Sequence, residues 1–226
     1  MKIAIHQPEY FPWLGFVAKA RRADVLVLLD HVQFDRSSLQ HRAKVAGANG
    51  LVWLTIPFVH RFPQRIDEVE LADDRWRTKH WKTLTACYGR APGWPAAAGA
   101  LEGFFGVARA RLVDATVASV ELTLDAFAVT ARRLRSSALG VGGERADLVL
   151  AICRTLGATT YLSGKTGASY LDGEAFAAAG IALEVVPYAP PDYPRARPLP
   201  DDVRGLSALD AWCQLGAGAP ALLEPA

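Results

Sequence analysis

Two short apolar runs near the beginning of the chain have the pattern of buried parallel strands. Residues 2–6 contain β-branched side chains and stop at Gln7 and Pro8, while residues 24–30 form a continuous apolar run bounded by acidic residues. Between them, residues 14–22 place apolar side chains at helical spacings and end in basic residues, which suit the negative end of a helix dipole. The pattern predicts a β-α-β unit, whose ligands bind beyond the carboxyl ends of its strands.

A second β-α-β pattern lies in the last third of the chain. Residues 159–162 predict a strand, residues 163–167 a loop, residues 170–179 a helix and residues 182–186 a returning strand. Repeated alternation of strands and helices predicts an α/β fold with a mainly parallel sheet built from β-α-β units.

The middle of the chain is predicted to be mainly helical. Before and within it, the predicted elements are a polar stretch over 35–50, a strand over 51–56, an edge or one-sided strand over 66–71, a helix over 76–88, a turn region between Pro92 and Pro95, and a helical region over about 113–135. After it come a glycine-rich break over 140–143, a helix over 148–156, a proline-rich extended strap over about 187–205, and a last helix over 207–215. We expect a single domain over residues 1–226, with a helical subdomain over about 73–140.

Composition excludes several classes of protein. The chain has 226 residues, of which 51% are hydrophobic, so it can bury a sizeable core. Its net charge of +2 argues against a charge-driven nucleic-acid binder. Cys87, Cys153 and Cys213 are widely scattered, which favours neither a disulfide framework nor a thiolate zinc site. With no targeting segment and no apolar run of about 20 residues, we expect a soluble cytoplasmic protein that does not bind membranes.

His6 and Asp30 are the candidate catalytic residues, because each stands where a predicted strand ends. If the two strands are adjacent and parallel, these side chains and that of Gln33 meet at one edge of the sheet. A neutral imidazole can take a proton from an amine or hydroxyl nucleophile, and Asp30 would orient its other nitrogen. His6 would thus be a general base or an oxyanion partner. The alternatives are a histidine hydrogen-bonded under the following loop and an aspartate that caps a helix or forms a turn.

Candidate substrate contacts follow His6 directly. Gln7, Tyr10 and Trp13 can wall a pocket for a planar ring or a sugar. The alternative for the aromatic side chains is packing against the first crossover helix.

Two basic segments give further candidates. Arg42 lies in a polar run that either grips an anion or is a solvated loop. Lys79 belongs to a cationic stripe on the helix predicted over 76–88, and His80 lies on a neighbouring face. A solvated helix face is the alternative to phosphate or carboxylate capture.

The loop containing Ser163, Gly164 and Lys165 is a candidate anion site. At a strand-loop-helix junction, glycines can adopt unusual dihedral angles, amides can point at an anion, and the lysine can neutralise it. Thr159 stands where a Walker A motif requires its first glycine, so a conventional P-loop kinase is disfavoured. Alternatively, the glycines serve only the turn.

Metal and hydrolase chemistry have little support in the residue pattern. The spacing of the histidines matches no compact metal motif, so we expect no metal; the alternative is a site that tertiary structure assembles from His6, Asp30, His31 and His41. No Gly-x-Ser-x-Gly elbow is present. The residues point to no particular cofactor.

Five separated motifs in one order carry a resemblance to a known family. They are residues 5–15 (IHQPEYFPWLG), residues 24–34 (DVLVLLDHVQF), residues 53–57 (WLTIP), residues 79–84 (KHWKTL) with Tyr88, and residues 157–164 (GATTYLSG). The combination resembles the WbqC-like protein family over nearly the whole chain. His31 departs from the acidic residue of that pattern, and residues 40–42 replace an amide-rich segment.

The resemblance implies a biosynthetic enzyme of surface-polysaccharide or specialised-metabolite pathways. The expected reaction is acyl or aminoacyl transfer onto an amine or sugar acceptor, with a small-molecule substrate and an activated acyl donor or nucleotide as partners. His6 and the loop at Ser163 are also similar in position to the motifs of HIGH-superfamily nucleotidyltransferases and pantoate-type ligases, although residues 9–11 lack the second histidine. A nucleotide-dependent adenylate-forming enzyme and a noncatalytic small-molecule-binding protein are therefore the alternatives.

Overall fold

The protein is built on a five-stranded parallel sheet. The computed structural model describes residues 1–59, 61–169, 171–195 and 203–223. In spatial order the strands are β5 (Arg132–Arg135), β2 (Val25–Leu28), β1 (Lys2–His6), β6 (Thr160–Ser163) and β7 (Ala182–Val185). Every neighbouring pair is parallel. The predicted α/β fold with a mainly parallel sheet is confirmed.

Helices cover both faces of the sheet. They are α1 (Leu14–Arg21), α2 (Arg75–Tyr88), α3 (Trp94–Gly106), α4 (Leu112–Ala126), α5 (Arg145–Thr155), α6 (Lys165–Ala168), α7 (Gly173–Ala178) and α8 (Leu209–Leu215). Because strand side chains alternate between faces, Ala4 packs in the cluster that contains Val17 of α1, whereas Ile5 packs with Ile152 of α5 and Phe176 of α7.

The order of the sheet reverses at β1. The crossover from β1 through α1 leads to β2 on one side, and the crossover from β6 through α7 leads to β7 on the other. The two crossovers therefore diverge and leave a crevice between the carboxyl ends of β1 and β6. Ligands of open α/β sheets bind in crevices of this kind.

A two-stranded antiparallel sheet lies beside the helices. It consists of β3 (Arg42–Gly47) and β4 (Gly50–Thr55), and β3 lies within residues 35–50, for which the sequence predicts only a polar stretch. In β3 the buried Ala43 and Val45 alternate with half-buried basic residues, so only one face is apolar. The Tyr88 hydroxyl of α2 accepts a hydrogen bond from the Ala46 amide at 2.9 Å and ties the two layers together.

Two predicted elements in the middle of the chain are wrong. Residues 66–71 contain a 3-10 turn, Ile66–Glu68, because the buried Ile66 and Val69 are three residues apart and suit a turn instead of a strand. The helical region predicted over 113–135 ends at Ala126, since Ala128 adopts a φ of 52° and β5 follows. The turn predicted between Pro92 and Pro95 is found at residues 92 and 93 only, because α3 begins at Trp94 and has Pro95 in its first turn.

The other predicted elements are found close to their expected positions, except that residues 165–167 of the loop predicted over 163–167 belong to the helix α6. The helix predicted over 170–179 is observed as α7, and Tyr170 lies outside the described residues. Residues 187–195 of the predicted strap have no regular secondary structure, while residues 196–202 lie outside the described part of the chain. Cys87, Cys153 and Cys213 are not joined in disulfide bonds. In the described ranges, every helix is too short or too polar to cross a lipid bilayer.

Candidate functional site

A cavity of about 880 Å³ opens at the carboxyl ends of β1 and β6. It lies at the reversal point of the sheet, where polar loop residues replace the apolar strand residues. The sequence-predicted candidates that line it are His6, Gln7, Trp13, Ser163, Gly164 and Lys165. These residues come from two distant parts of the chain, and the parallel pairing of β1 with β6 brings them together.

The imidazole of His6 is neutral and its tautomer is defined by the backbone. Its Nδ1 lies 2.9 Å from the carbonyl oxygen of Gln7, which can only accept, so we assign the hydrogen to Nδ1 and the lone pair to Nε2. The ring packs edge-on against Phe16 at 4.7 Å between centroids, and 26% of the side chain is exposed. Burial and the charge of Lys19 lower the pKa of His6 to about 3. At neutral pH, His6 therefore offers a proton acceptor.

Two buried ionisable residues beside His6 were not identified from the sequence. The Oε1 atom of Glu9 lies 3.8 Å from His6 Nδ1, and its Oε2 is buried without a hydrogen-bond partner among the described residues. Lys19 of α1 also lines the cavity, and its ammonium donates to the Ile5 carbonyl at 3.2 Å. Burial raises the pKa of Glu9 to about 8 and lowers that of Lys19 to about 8.

A sequence signal for Lys19 existed but was interpreted otherwise. Lys19 follows Phe16 by three residues and so shares the buried face of α1 with it. Its place near the end of the helix predicted over 14–22 indicates instead a cation that complements the helix dipole. Glu9 carried no comparable signal, since its burial depends on the path of the loop after β1.

The loop after β1 is fixed by contacts to distant elements. The Phe11 amide donates to the Ser119 hydroxyl of α4 at 3.0 Å, and the Tyr10 amide donates to the Leu39 carbonyl at 3.0 Å. Phe11 has a φ of 44°, a left-handed conformation that a non-glycine residue keeps only when its surroundings hold it there. These contacts determine where Glu9 lies.

On the opposite wall, the loop after β6 differs from the predicted anion cradle. Gly164 has an ordinary φ of −77°, so the expectation that unusual dihedral angles require this glycine is wrong. A Cβ at Gly167 would lie 2.8 Å from Ser163 Oγ, so a larger residue there would require this hydroxyl to move. Ser163 is buried and donates to the Gly164 carbonyl, whereas Lys165 is exposed at the rim of the cavity.

Two aromatic rings form one side of the cavity. The Trp13 indole meets the Tyr188 ring edge-to-face, with 5.1 Å between the ring centroids. The indole occupies the space beside Gly15, where a Cβ would lie 2.1 Å from the Trp13 ring. Gln7, next to this wall, accepts a hydrogen bond from the Gln40 side chain at 2.7 Å. The side offers an apolar surface with a polar edge.

Asp30 lies outside this cavity, and the prediction that it orients His6 does not match its contacts. Its carboxylate accepts hydrogen bonds from Arg135 Nε at 2.5 Å, from Ser136 Oγ at 3.0 Å, and from the amide and hydroxyl of Ser137, both at 2.8 Å. All of these donors follow or end β5, on the far side of β2 from His6. Asp30 thus joins the ends of β2 and β5.

Tyr10 and His80 are brought together, but in the core and not in the cavity. The Tyr10 hydroxyl lies 2.9 Å from His80 Nδ1, and both side chains are buried among Trp76 and Phe104. Burial lowers the pKa of His80 to about 4, with a hydrogen bond to the Thr55 backbone opposing it. Tyr10 thus packs in the core, but its ring contacts come from α2 and α3 instead of the first crossover helix that the packing alternative named.

Three further candidates also lie away from the cavity. Gln33 lines a separate cavity of about 560 Å³. Arg42 donates to the carbonyls of Ser37 and Ser38 and lies over the Trp53 ring. Lys79 is exposed on α2.

The histidines considered for a metal site are dispersed. His31 is hydrogen-bonded to Ser136 at 2.6 Å, and His41 packs between the rings of Phe34 and Phe58. Within the described residues, no group of three or more His, Cys, Asp or Glu side chains has an arrangement suited to a metal ion.

Comparisons with known proteins place the chain in a family. The model of the WbqC-like protein family matches residues 7–220. A curated protein of Mycobacterium tuberculosis, "Uncharacterized protein Rv1507c", is 24% identical over 185 residues, which cover 77% of this chain and 77% of that protein. No solved structure gives a significant match.

Proposed function

We propose, from the fact that this chain belongs to the WbqC-like protein family, that it is a small-molecule transferase which moves an acyl or aminoacyl group to an amine or sugar acceptor. The observation that carries this proposal is the neutral His6, whose Nδ1 is held by the Gln7 carbonyl at the edge of an 880 Å³ cavity. Nε2 is unprotonated and lies beside a cavity large enough for two small substrates. Because a pKa of about 3 makes it a weak base, the proposed role requires that a negative charge on the bound substrate offset Lys19 and raise this pKa.

In the proposed reaction, His6 first accepts a proton from the attacking group and then donates it to the leaving group. Nε2 takes the proton of the acceptor amine or hydroxyl as its nitrogen or oxygen bonds to the acyl carbon. The bond between the acyl carbon and the leaving group then breaks, and the imidazolium returns the proton to the leaving group. Glu9 lies 3.8 Å from Nδ1, but burial raises its pKa to about 8, so at pH 7 its carboxyl is protonated and brings no negative charge to the imidazolium.

The other residues that line the cavity would bind the two substrates. The wall of Trp13 and Tyr188 suits a planar or sugar ring, and the exposed Lys165 at the rim suits a phosphate-bearing donor. Such a reaction would serve specialised-metabolite or surface-polysaccharide biosynthesis.

The proposal is tested with the variant His6→Asn. An Asn side chain keeps an N–H donor for the Gln7 carbonyl but has no basic nitrogen. Native mass spectrometry first identifies a ligand retained by the wild-type protein, and transfer from acetyl-coenzyme A to glucosamine and to the identified ligand is then followed by mass spectrometry. We expect His6→Asn to lose about 10²- to 10⁴-fold in turnover at an unchanged melting temperature. Unchanged turnover would refute the role of His6.

A second candidate is an adenylate-forming enzyme. It is favoured by one observation: His6 after β1 and Ser163 with Lys165 after β6 line the same cavity, as the positional similarity to HIGH-superfamily enzymes requires. Exchange of labelled pyrophosphate into ATP, in the presence of a carboxylic acid, distinguishes this candidate from direct acyl transfer. Ligand binding with neither exchange nor transfer would indicate a noncatalytic binding protein.

A further inference from the structure

Lys19 is a buried cation whose hydrogen-bonding capacity is largely unused. It lines the cavity at His6 and is only 8% exposed. An ammonium has three N–H donors, and the described residues provide one acceptor, the Ile5 carbonyl at 3.2 Å. Two donors thus have no protein partner in the described part of the chain.

The charge of Lys19 also lacks a close counter-charge. Each of the ion pairs found within 4 Å in the described residues involves another cation, so none of them reaches Lys19. Glu9 acts on Lys19 only at longer range, and burial raises the pKa of its carboxyl to about 8. With Glu9 protonated and His6 neutral at pH 7, this part of the cavity carries the positive charge of Lys19.

We propose that Lys19 binds an anionic oxygen group of the ligand, a carboxylate or a phosphate, inside the cavity at His6. A buried charge is costly unless it is paired and hydrogen-bonded, and an oxyanion would satisfy both the charge and the free N–H donors. The assignment differs from the anion site expected at Lys165, which is exposed at the rim.

The position of Lys19 on α1 would place a bound anion close to His6. Lys19 and Phe16 lie on one face of α1, and Phe16 contacts the His6 ring. An anion on Lys19 would therefore lie beside His6 and anchor one substrate near the base. This inference rests on the proposed function for its meaning, but anion binding itself requires no turnover.

The experiment is calorimetric titration of the purified full chain with acetate and, separately, with inorganic phosphate at pH 7. The two probes distinguish a carboxylate site from a phosphate site. We expect one of them to bind with a dissociation constant on the order of 1 mM. Lys19→Met should weaken that binding about ten- to a hundredfold, because a charge-assisted contact is lost.

Two further variants separate charge from folding. Lys19→Arg keeps the charge and should retain most of the binding, while Lys82→Met removes an exposed lysine of α2 and should change nothing. Melting curves of all variants identify any loss of fold.

The proposal is overturned if neither probe binds the wild-type protein, or if Lys19→Met binds as tightly as the wild type. Anion binding without detectable group transfer would leave Lys19 as an anion site and count against the proposed function alone.

Discussion

Replacement of Asp30 by alanine should destabilise the protein. The carboxylate is fully buried and accepts hydrogen bonds from three consecutive residues, Arg135, Ser136 and Ser137. Its removal leaves a guanidinium and two hydroxyls without their acceptor at the junction of β2 and β5. The sequence had suggested a catalytic role, so this variant distinguishes a structural aspartate from a catalytic one.

The magnitude follows from the burial of the two partners. Removing one member of a buried ion pair costs about 3–5 kcal/mol. Because the Arg135 side chain is 38% exposed and water can solvate it after the change, the lower end applies, about 3 kcal/mol. At about 2–4 °C per kcal/mol for a chain of this size, the melting temperature should fall by roughly 6–12 °C.

The same contacts predict a dependence on pH. Burial by itself raises the pKa of Asp30, but hydrogen bonds from the Ser137 amide and from Arg135 hold it below its usual value. A folded-state pKa below the unfolded one means that this contribution is fully present above the unfolded value of about 3.9 and is lost as the pH falls through the folded value. Wild type and Asp30→Ala should therefore converge in stability only under strongly acidic conditions.

The assay is urea denaturation followed by circular dichroism, with melting curves in parallel. Asp125→Ala is the matched control, because Asp125 also pairs with an arginine, Arg133, but is 67% exposed; its change should stay within about 1 kcal/mol. If Asp30→Ala melted like the wild type while ligand binding or turnover disappeared, the structural reasoning would be refuted and Asp30 would return to the catalytic site.

Three other changes test the surroundings of the cavity. Gly15→Ala places a Cβ 2.1 Å from the Trp13 ring, so it should cost about 1–3 kcal/mol and alter tryptophan fluorescence; an unchanged spectrum and melting temperature would contradict the packing described. Tyr10→Phe leaves the buried His80 Nδ1 without its hydrogen-bond partner and should cost about 1–3 kcal/mol in urea denaturation, whereas a neutral effect would mean that the bond is not formed. Lys165→Met removes an exposed charge and should weaken ATP or coenzyme A binding by at most about fivefold, the equivalent of 1 kcal/mol; a loss of a hundredfold in calorimetry would show that Lys165 is enclosed by the ligand.

Much of the sheet could be predicted from the sequence, because its inner strands are short apolar runs separated by helical patterns. β1 and β2 illustrate this, since buried strands need apolar side chains on both faces. β5 could not be predicted. Its sequence, Arg-Arg-Leu-Arg, has no strand pattern, and it forms a strand only because it lies at the edge of the sheet and pairs with β2.

The same distinction applies to the candidate site. That His6 and Ser163 lie at one edge follows from the sequence, since the carboxyl ends of parallel strands share an edge. Which acidic residue accompanies His6 depends on the tertiary structure. The Asp30 carboxylate accepts hydrogen bonds from Arg135 and the residues after it, at the end of β5, a strand that the sequence does not predict. The loop after β1 instead buries Glu9 beside the imidazole. A strand pattern tells where a side chain leaves the sheet, but its partner is set by strands and loops that lie far away in the sequence.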